Sequence, residues 1–179
     1  GVFYHLDPRG VTLDPVQLSV VIPAYNEAEN IRTGVLEDVQ YYLVNQAYDW
    51  EVIVVDDGSR DETVALVRTF ITGKPGWRLV ENPHQGKAAT VKTGVLLSSG
   101  EYVLFTDFDQ ATPLSEIEKL LPFLRKGYQV VVGSREVKGS RREGEPWYRH
   151  LMGKVFNLAV QIFTIRGIHD TQCGFKLFT

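Results

Sequence analysis

Leu18-Ser19-Val20-Val21-Ile22-Pro23 is a short, β-rich apolar run closed by a proline, and Ile31, Val35, Val39 and Leu43 follow it at a spacing of i, i+4. The first pattern is that of a buried strand and the second that of one apolar helix face, so the stretch reads as a strand–helix unit. The same alternation repeats outward. Glu51 to Val55 is the next strand, ended by the turn Asp56-Asp57-Gly58, after which Ser59 and Glu62 read as a capping box before Val64, Val67 and Ile71. Trp77 to Val80, a loop over Asn82 to Gly86, and a helix through Val91 and Val95 make a third unit. Tyr102 to Thr106 is a fourth strand, leaving through Asp107-Phe108-Asp109 into a helix of Ile117, Leu120, Leu121 and Leu124 that Ser115 and Glu118 are placed to cap. Gln129 to Gly133 is a fifth strand. Strand and helix in alternation predict a three-layer α/β/α domain of Rossmann-like kind, with a mostly parallel sheet, helices on both faces and ligands at the carboxyl ends of the strands.

Beyond Gly133 the pattern changes. Glu136 to Pro146 is polar and without apolar periodicity, which predicts a loop; Leu151, Val155, Leu158 and Ile162 predict a helix; and Cys173, Phe175 and Leu177 alternate like a short strand. Between residues 135 and 166 seven basic residues (Arg135, Lys138, Arg141, Arg142, Arg149, Lys154, Arg166) face three acidic ones, in a chain whose net charge is −3. A basic segment within an acidic chain suits a phosphate or an anionic membrane surface, and Trp147 and Tyr148 beside it suit an interface. A solvated loop followed by an ordinary core helix accounts for the same composition.

The 179 residues, 44% hydrophobic and 23% charged, fit one globular domain over 18–179 behind an N-terminal extension over 1–17. A negative net charge argues against nucleic acid as the partner of the whole chain. One cysteine, Cys173, excludes an internal disulfide and a paired-thiolate zinc site, and fits a reducing, cytoplasmic compartment. No apolar run approaches the ~18 residues of a spanning helix, and Gly1 to Gly10 lacks the order of a signal peptide. The stop at Thr179, directly after a strand-like segment, reads as the edge of an excised domain, with membrane helices left open beyond it.

The chemistry-bearing residues cluster at predicted strand exits. Asp56-Asp57 and Asp107-Phe108-Asp109 place four carboxylates on one rim of the sheet. Either pair alone is ordinary turn and helix-dipole chemistry. Together they favour a metal–nucleotide site, because clustered like charges are costly without a cation, and hard carboxylate oxygens suit Mg2+ or Mn2+. His84-Gln85-Gly86-Lys87, between a strand and a helix, offers a glycine for close backbone approach and a lysine for phosphate. Neither a P-loop nor a G-x-G-x-x-G fingerprint is present, nor a G-x-S-x-G elbow, which weakens ATPase, dehydrogenase and hydrolase readings. His150 and His169 lack zinc spacing, and Cys173 reads as a buried strand residue rather than a nucleophile.

The string Val20 to Glu27, then Val54-Val55-Asp56-Asp57-Gly58-Ser59, then Asp107-Phe108-Asp109, resembles the family-2 inverting glycosyltransferases of GT-A fold. Val132 to Arg135 and Gly167 to Phe178 are similar to the branch that uses dolichyl and polyprenyl phosphates. The resemblance implies that Pro23, Tyr25, Glu27 and Asp56 line a base and ribose pocket that Asp57 and Lys87 complete. It implies that Asp107 lies by the nucleotide, that Asp109, with Asp107 beside it, holds Mg2+ or Mn2+ at the diphosphate, that Arg135 and Arg149 lie near an acceptor phosphate, and that Asp170 and Gln172 close over the donor sugar. His84 stands where the family often has Asn, and Gly153 where relatives commonly carry Ser. Gln110-Ala111 departs from mannosyl relatives, which disfavours phosphomannose chemistry.

The implied activity is hexose transfer, from UDP-glucose in the nearest branch, to a polyprenyl or dolichyl phosphate at the cytoplasmic face of a membrane. Two alternatives stay open: a polysaccharide or glycan hydroxyl acceptor, for which Asp170 would be the general base, and a nucleotide-sugar-binding fragment without turnover.

Overall fold

The computed structural model describes residues 17–133 and 173–179. Six strands form one sheet: β1 (Leu18–Ala24), β2 (Trp50–Asp56), β3 (Trp77–Glu81), β4 (Tyr102–Thr106), β5 (Val130–Val132) and β6 (Phe175–Phe178), in the order β3-β2-β1-β4-β6-β5. β1 pairs in parallel with β2 and β4, and β2 with β3. β6 is inserted antiparallel between β4 and β5. The sheet is therefore mixed but mostly parallel, as the alternation of patterns requires.

The helices are α1 (Ala28–Arg32), α2 (Val35–Val44), α3 (Thr63–Ile71), α4 (Lys87–Leu97) and α5 (Ile117–Arg125), with a 3-10 turn, Leu114–Glu116, before α5. They cover both faces of the sheet. Val20, Ile22, Val52, Val54 and Leu104 belong to the same buried cluster as Leu36, Val39 and Leu43 of α2, Val67 of α3, and Ile117, Leu121 and Leu124 of α5. The opposite face receives α4, whose Gly94 sits against Val21 and Val55. All of β1 is buried, which is why its sequence is a continuous apolar run rather than an alternating one.

Three local expectations are corrected. The single helix through Ile31 and Val35 is two, because Gly34 adopts φ +94° and turns the chain between α1 and α2. Neither capping box forms. α3 starts only at Thr63 with no side-chain cap, Ser59 Oγ instead accepting from the Asn26 amide. α5 starts at Ile117 after the 3-10 turn, and Glu118 accepts a hydrogen bond from the Tyr42 hydroxyl at 2.6 Å. Finally, α4 buries Thr90 and Gly94, not Val91 and Val95; Val95 is exposed. Small residues let this helix lie close on the valines of the sheet, so its buried face carries almost no hydrophobic signal.

The strand alternation of Cys173, Phe175 and Leu177 is confirmed: all three are buried. The predicted loop over 136–146 and the helix after Trp147 lie outside the described residues, as does almost all of the N-terminal extension.

Candidate functional site

A cleft of about 360 Å3 opens at the carboxyl ends of β1, β2 and β4, and it is lined by Pro23, Tyr25, Glu27, Asp57, Lys87, Asp107 and Asp109 among others. These are seven of the residues singled out from sequence. Three come from the exit of β1, and the pairs at the exits of β2 and β4 lie on either side of it, since β1 separates those strands. Arg135, Arg149, Asp170 and Gln172 lie outside the described residues.

The β2 exit is held by its own carboxylates. Asp56, only 2% exposed, accepts hydrogen bonds from the amides of Gly58 and Ser59 through Oδ2 at 2.9 Å, while Oδ1 is buried without a hydrogen bond among the described residues. It sits behind the cleft rather than among its lining side chains. Asp57, also buried, reaches the start of α4, where its Oδ1 accepts from the Gln85 amide at 2.9 Å and its Oδ2 from the Gly86 amide at 3.0 Å. Burial pushes the Asp57 carboxyl up, but the Gln85 amide, the Thr90 hydroxyl, the Gly86 amide and the neighbouring His84 together outweigh burial and hold it below the ordinary aspartate range. Asp57 thus ties the β2 exit to the Gly86–Lys87 turn.

The β1 exit is tied to the same region. Asn26, at φ +56°, donates its amide to Ser59 Oγ at 2.9 Å and accepts from the Arg60 amide at 2.8 Å. An asparagine tolerates this left-handed conformation better than most residues. The Glu27 amide donates to Thr63 Oγ1 at 2.7 Å, and the Glu27 carboxylate accepts from Asn30 Nδ2 at 2.6 Å. Burial raises the Glu27 carboxyl above its ordinary value; the Asn30 hydrogen bond opposes this, and the charge of Asp109 adds to it.

At the β4 exit Asp107 and Asp109 differ. Lys87 Nζ lies 2.6 Å from Asp107 Oδ1, a partly exposed ion pair. The other Asp107 oxygen packs on Gly174, where a Cβ would overlap it outright, and the Asp107 amide donates to the Gly174 carbonyl at 3.0 Å. Asp109 is exposed and accepts from the Ala111 amide at 3.0 Å. Among the described residues no group of three or more His, Cys, Asp or Glu side chains could hold a metal ion. One or two carboxylates with the remaining positions left to water and phosphate is, however, the donor set that Mg2+ or Mn2+ takes, so Asp109 with Asp107 fits such an ion.

Sequence reasoning passed over two residues of the site. Gly174 falls within the Gly167 to Phe178 stretch that carries the resemblance, but no role attaches to it there, and no periodicity marks a glycine that makes room for a carboxylate 67 positions earlier. His84 was treated as a departure from a motif, yet its ring stacks on Tyr25 with centroids 4.5 Å apart and planes 24° from parallel.

Comparison with known proteins agrees with this architecture. Over 177 residues the chain is 39% identical to a dolichyl-phosphate beta-glucosyltransferase of Trichomonas vaginalis, covering 92% of this chain and 52% of the relative. It spans about half the length of the curated relatives that it matches. A mannosyltransferase from Pyrobaculum calidifontis, solved with GDP-Man and Mn2+, superposes with a TM-score of 0.61 at 23% identity, over 93% of this chain and 46% of that one. Glucosyl-3-phosphoglycerate synthase from Mycobacterium tuberculosis, solved with UDP, gives a TM-score of 0.64 at 23% identity, over 92% and 57%. These two likenesses establish a shared GT-A fold, and since one partner holds a guanine and the other a uracil nucleotide, the fold does not choose the base. Residues 19–179 match the profile of glycosyl transferase family 2, and the chain belongs to that family.

Proposed function

We propose that this chain carries the donor-binding and catalytic region of an inverting hexosyltransferase that moves glucose from UDP-glucose to a dolichyl or polyprenyl phosphate at the cytoplasmic face of a membrane. The observation that carries the reading is the cleft itself, which gathers two aromatic rings, Tyr25 and His84, with the acidic pair Asp107 and Asp109 and the lysine Lys87. Rings suit a nucleoside; a lysine beside metal-binding carboxylates suits a diphosphate. The glucose and dolichyl phosphate parts rest on the named function of relatives such as the Trichomonas vaginalis enzyme. The uracil base and inversion rest on the motif resemblance.

In this reading Asp109 and Asp107 would hold a divalent ion, which when bound would supply positive charge to the departing diphosphate. Lys87 adds a second positive charge on the same wall and is kept extended toward it by its pair with Asp107. An acceptor phosphate oxygen attacks the anomeric carbon, the bond from that carbon to the diphosphate oxygen breaks, and UDP leaves with the electron pair. The acceptor is already anionic at neutral pH, so no strong base is required. Arg135 and Arg149 serve to position it, and Asp170 and Gln172 to close over the sugar.

Titration calorimetry of the full chain with UDP-glucose and with GDP-mannose, each with Mn2+ and with chelator, tests the donor. Metal-dependent binding of UDP-glucose that Asp109→Asn abolishes is the expected result. Failure of both donors to bind overturns the proposal, and preference for GDP-mannose overturns its donor. Transfer of labelled glucose to a short polyprenyl phosphate then tests the acceptor.

A further inference from the structure

The turn that carries Asp107 and Asp109 is fastened at both ends. Between the two aspartates Phe108, 3% exposed, seats the turn in the hydrophobic core. After them Gln110 folds back on the turn. Its backbone amide donates to the Asp107 carbonyl at 3.3 Å, and its side-chain Nε2 donates to the same oxygen at 2.9 Å. Nε2 lies also 3.2 Å from Oγ1 of Thr106, the buried last residue of β4. A carbonyl only accepts, so the nitrogen end of the side-chain amide is the one that faces Asp107.

Two unfavourable features persist at Gln110. Its backbone stands at φ +48°, a left-handed conformation that is costly for a residue with a Cβ, and its Oε1 is buried with no hydrogen bond among the described residues. Strain of this kind survives where surrounding contacts over-determine it, and it gathers at functional sites. Here the left-handed step lies between Asp109 and Ala111, and the Ala111 amide donates to Asp109 Oδ1 at 3.0 Å. That bond gives the exposed Asp109 carboxylate one orientation and occupies only one of its two oxygens.

We propose that Gln110 is a positioning residue for the divalent ion: its clip on the Asp107 carbonyl and Thr106 fixes the left-handed step, which commits one Asp109 oxygen to the Ala111 amide and keeps the other for the metal. The inference rests on the reading of Asp107 and Asp109 as the metal-binding pair of a nucleotide-sugar site, and deepens it. Because the clip ends on Asp107 itself, the two carboxylates are set relative to one another. An ion that takes only one or two protein donors, and that demands a regular octahedron when it is Mg2+, depends on that spacing.

Gln110→Gly and Gln110→Met separate positioning from support of the fold. Glycine adopts the left-handed step freely but has no side chain, whereas methionine keeps the length and cannot donate to the Asp107 carbonyl. For the full chain and both variants, UDP binding is followed as Mn2+ is raised, to find the free Mn2+ concentration that gives half-maximal binding; circular dichroism and thermal melting accompany it. Hydrogen-bonding partners of metal ligands typically govern metal affinity by about 10- to 100-fold, so both variants should need at least about tenfold more Mn2+. In Gln110→Gly that loss should come with a melting temperature lowered by no more than about 5 °C, because relief of the left-handed backbone offsets the lost hydrogen bonds. A residue that merely supports the fold does not give this split, and the glycine variant decides the matter if the methionine variant fails to fold. An unchanged Mn2+ requirement in either folded variant would overturn the proposal, and so would a larger fall in the melting temperature of Gln110→Gly. If UDP binding by the unmodified chain does not depend on Mn2+, the metal reading of the aspartate pair fails, and this inference falls with it.

Discussion

Replacing Gly174 by alanine tests how the β4 exit is built. A Cβ at residue 174 would overlap Asp107 Oδ2 and Cγ outright and stand 2.6 Å from Oδ1. Non-bonded carbon and oxygen settle no closer than about 3.2 Å, so one partner must move by more than ~1 Å. The backbone of residue 174 is poorly placed to yield. It is followed by β6, whose Phe175 pairs with Thr106, and its carbonyl accepts from the Asp107 amide while the Phe175 carbonyl accepts from Gly133. The Asp107 carboxylate is the softer partner and must rotate away, which breaks its 2.6 Å contact with Lys87. That exposed pair contributes little stability, about 0–1 kcal/mol, so the folding penalty comes mainly from overpacking, about 1–3 kcal/mol. At ~2–4 °C per kcal/mol for a chain of this size, the melting temperature should fall by roughly 2–12 °C. The larger effect is on the ligand: with Asp107 and Lys87 displaced from the cleft wall, one charged hydrogen bond to the proposed diphosphate, about 1.5–3 kcal/mol, would be lost, weakening Mn2+-dependent UDP binding by roughly 10- to 100-fold. Differential scanning fluorimetry and calorimetry read the two effects separately. Gly133→Ala, where the nearest atom to a Cβ is the Phe175 carbonyl oxygen at 3.3 Å, is the matched control expected to be mild. Gly174→Ala with a lowered melting temperature and unchanged UDP affinity would refute the reasoning, because Asp107 would then not need its present place.

Gly94→Ala should lower stability by about 1–3 kcal/mol although alanine favours helices, since its Cβ would overlap Val21 Cγ1 and lie 3.2 Å from both Val21 Cγ2 and Val55 Cγ2; Val21→Ala in the same chain should restore part of the loss in a denaturant melt. Glu51→Ala, at the opposite end of the sheet, should cost about 1–3 kcal/mol by urea unfolding, because the buried Ser19 Oγ and the Ser99 amide lose their acceptor while Arg78, 45% exposed, turns to water. Asp57, Glu51 and Asp61 are all held below their ordinary values, each by hydrogen bonds that outweigh burial. A depressed carboxylate stabilises the fold above its unfolded value, near 4 for these groups, and that stabilisation is lost as pH falls through the lower folded value. The melting temperature should therefore drop on acidification below about pH 4, and Asp57→Asn should start lower and drop less steeply; a parallel curve for Asp57→Asn would contradict this.

The strands were legible because a sheet buried on both faces demands uninterrupted apolar runs, and β1 and β2 are such runs; their bounds differ from the sequence reading by at most two residues at either end. The gathering of Asp57, Asp107 and Asp109 at one cleft was legible because all three stand at strand ends, where backbone turns and helix starts already collect polar groups. What the sequence does not display is set by the absence of a side chain or by partners distant in the chain. The α1–α2 break depends on the positive φ of Gly34, α4 is seated through Gly94 rather than through a hydrophobic stripe, and β6 enters antiparallel between two strands that precede it. The capping boxes failed for a related reason: Ser59 had a stronger use in holding the Asn26 amide across 33 residues, and Glu118 in meeting Tyr42 across 76, so tertiary hydrogen bonds took the local donors and acceptors that a cap requires. The same competition shapes the cleft. Asp107 is constrained on one side by Lys87 and on the other by Gly174, whereas Asp109 is exposed, and two aspartates that are equivalent in a D-x-D pattern thereby become unequal in the fold. Exchange of each for asparagine should reveal that inequality: under the proposed function Asp109→Asn should remove metal dependence of donor binding, while Asp107→Asn should leave a metal-dependent but weaker site, since the Asp107 charge already serves Lys87 and would serve the ion only in part.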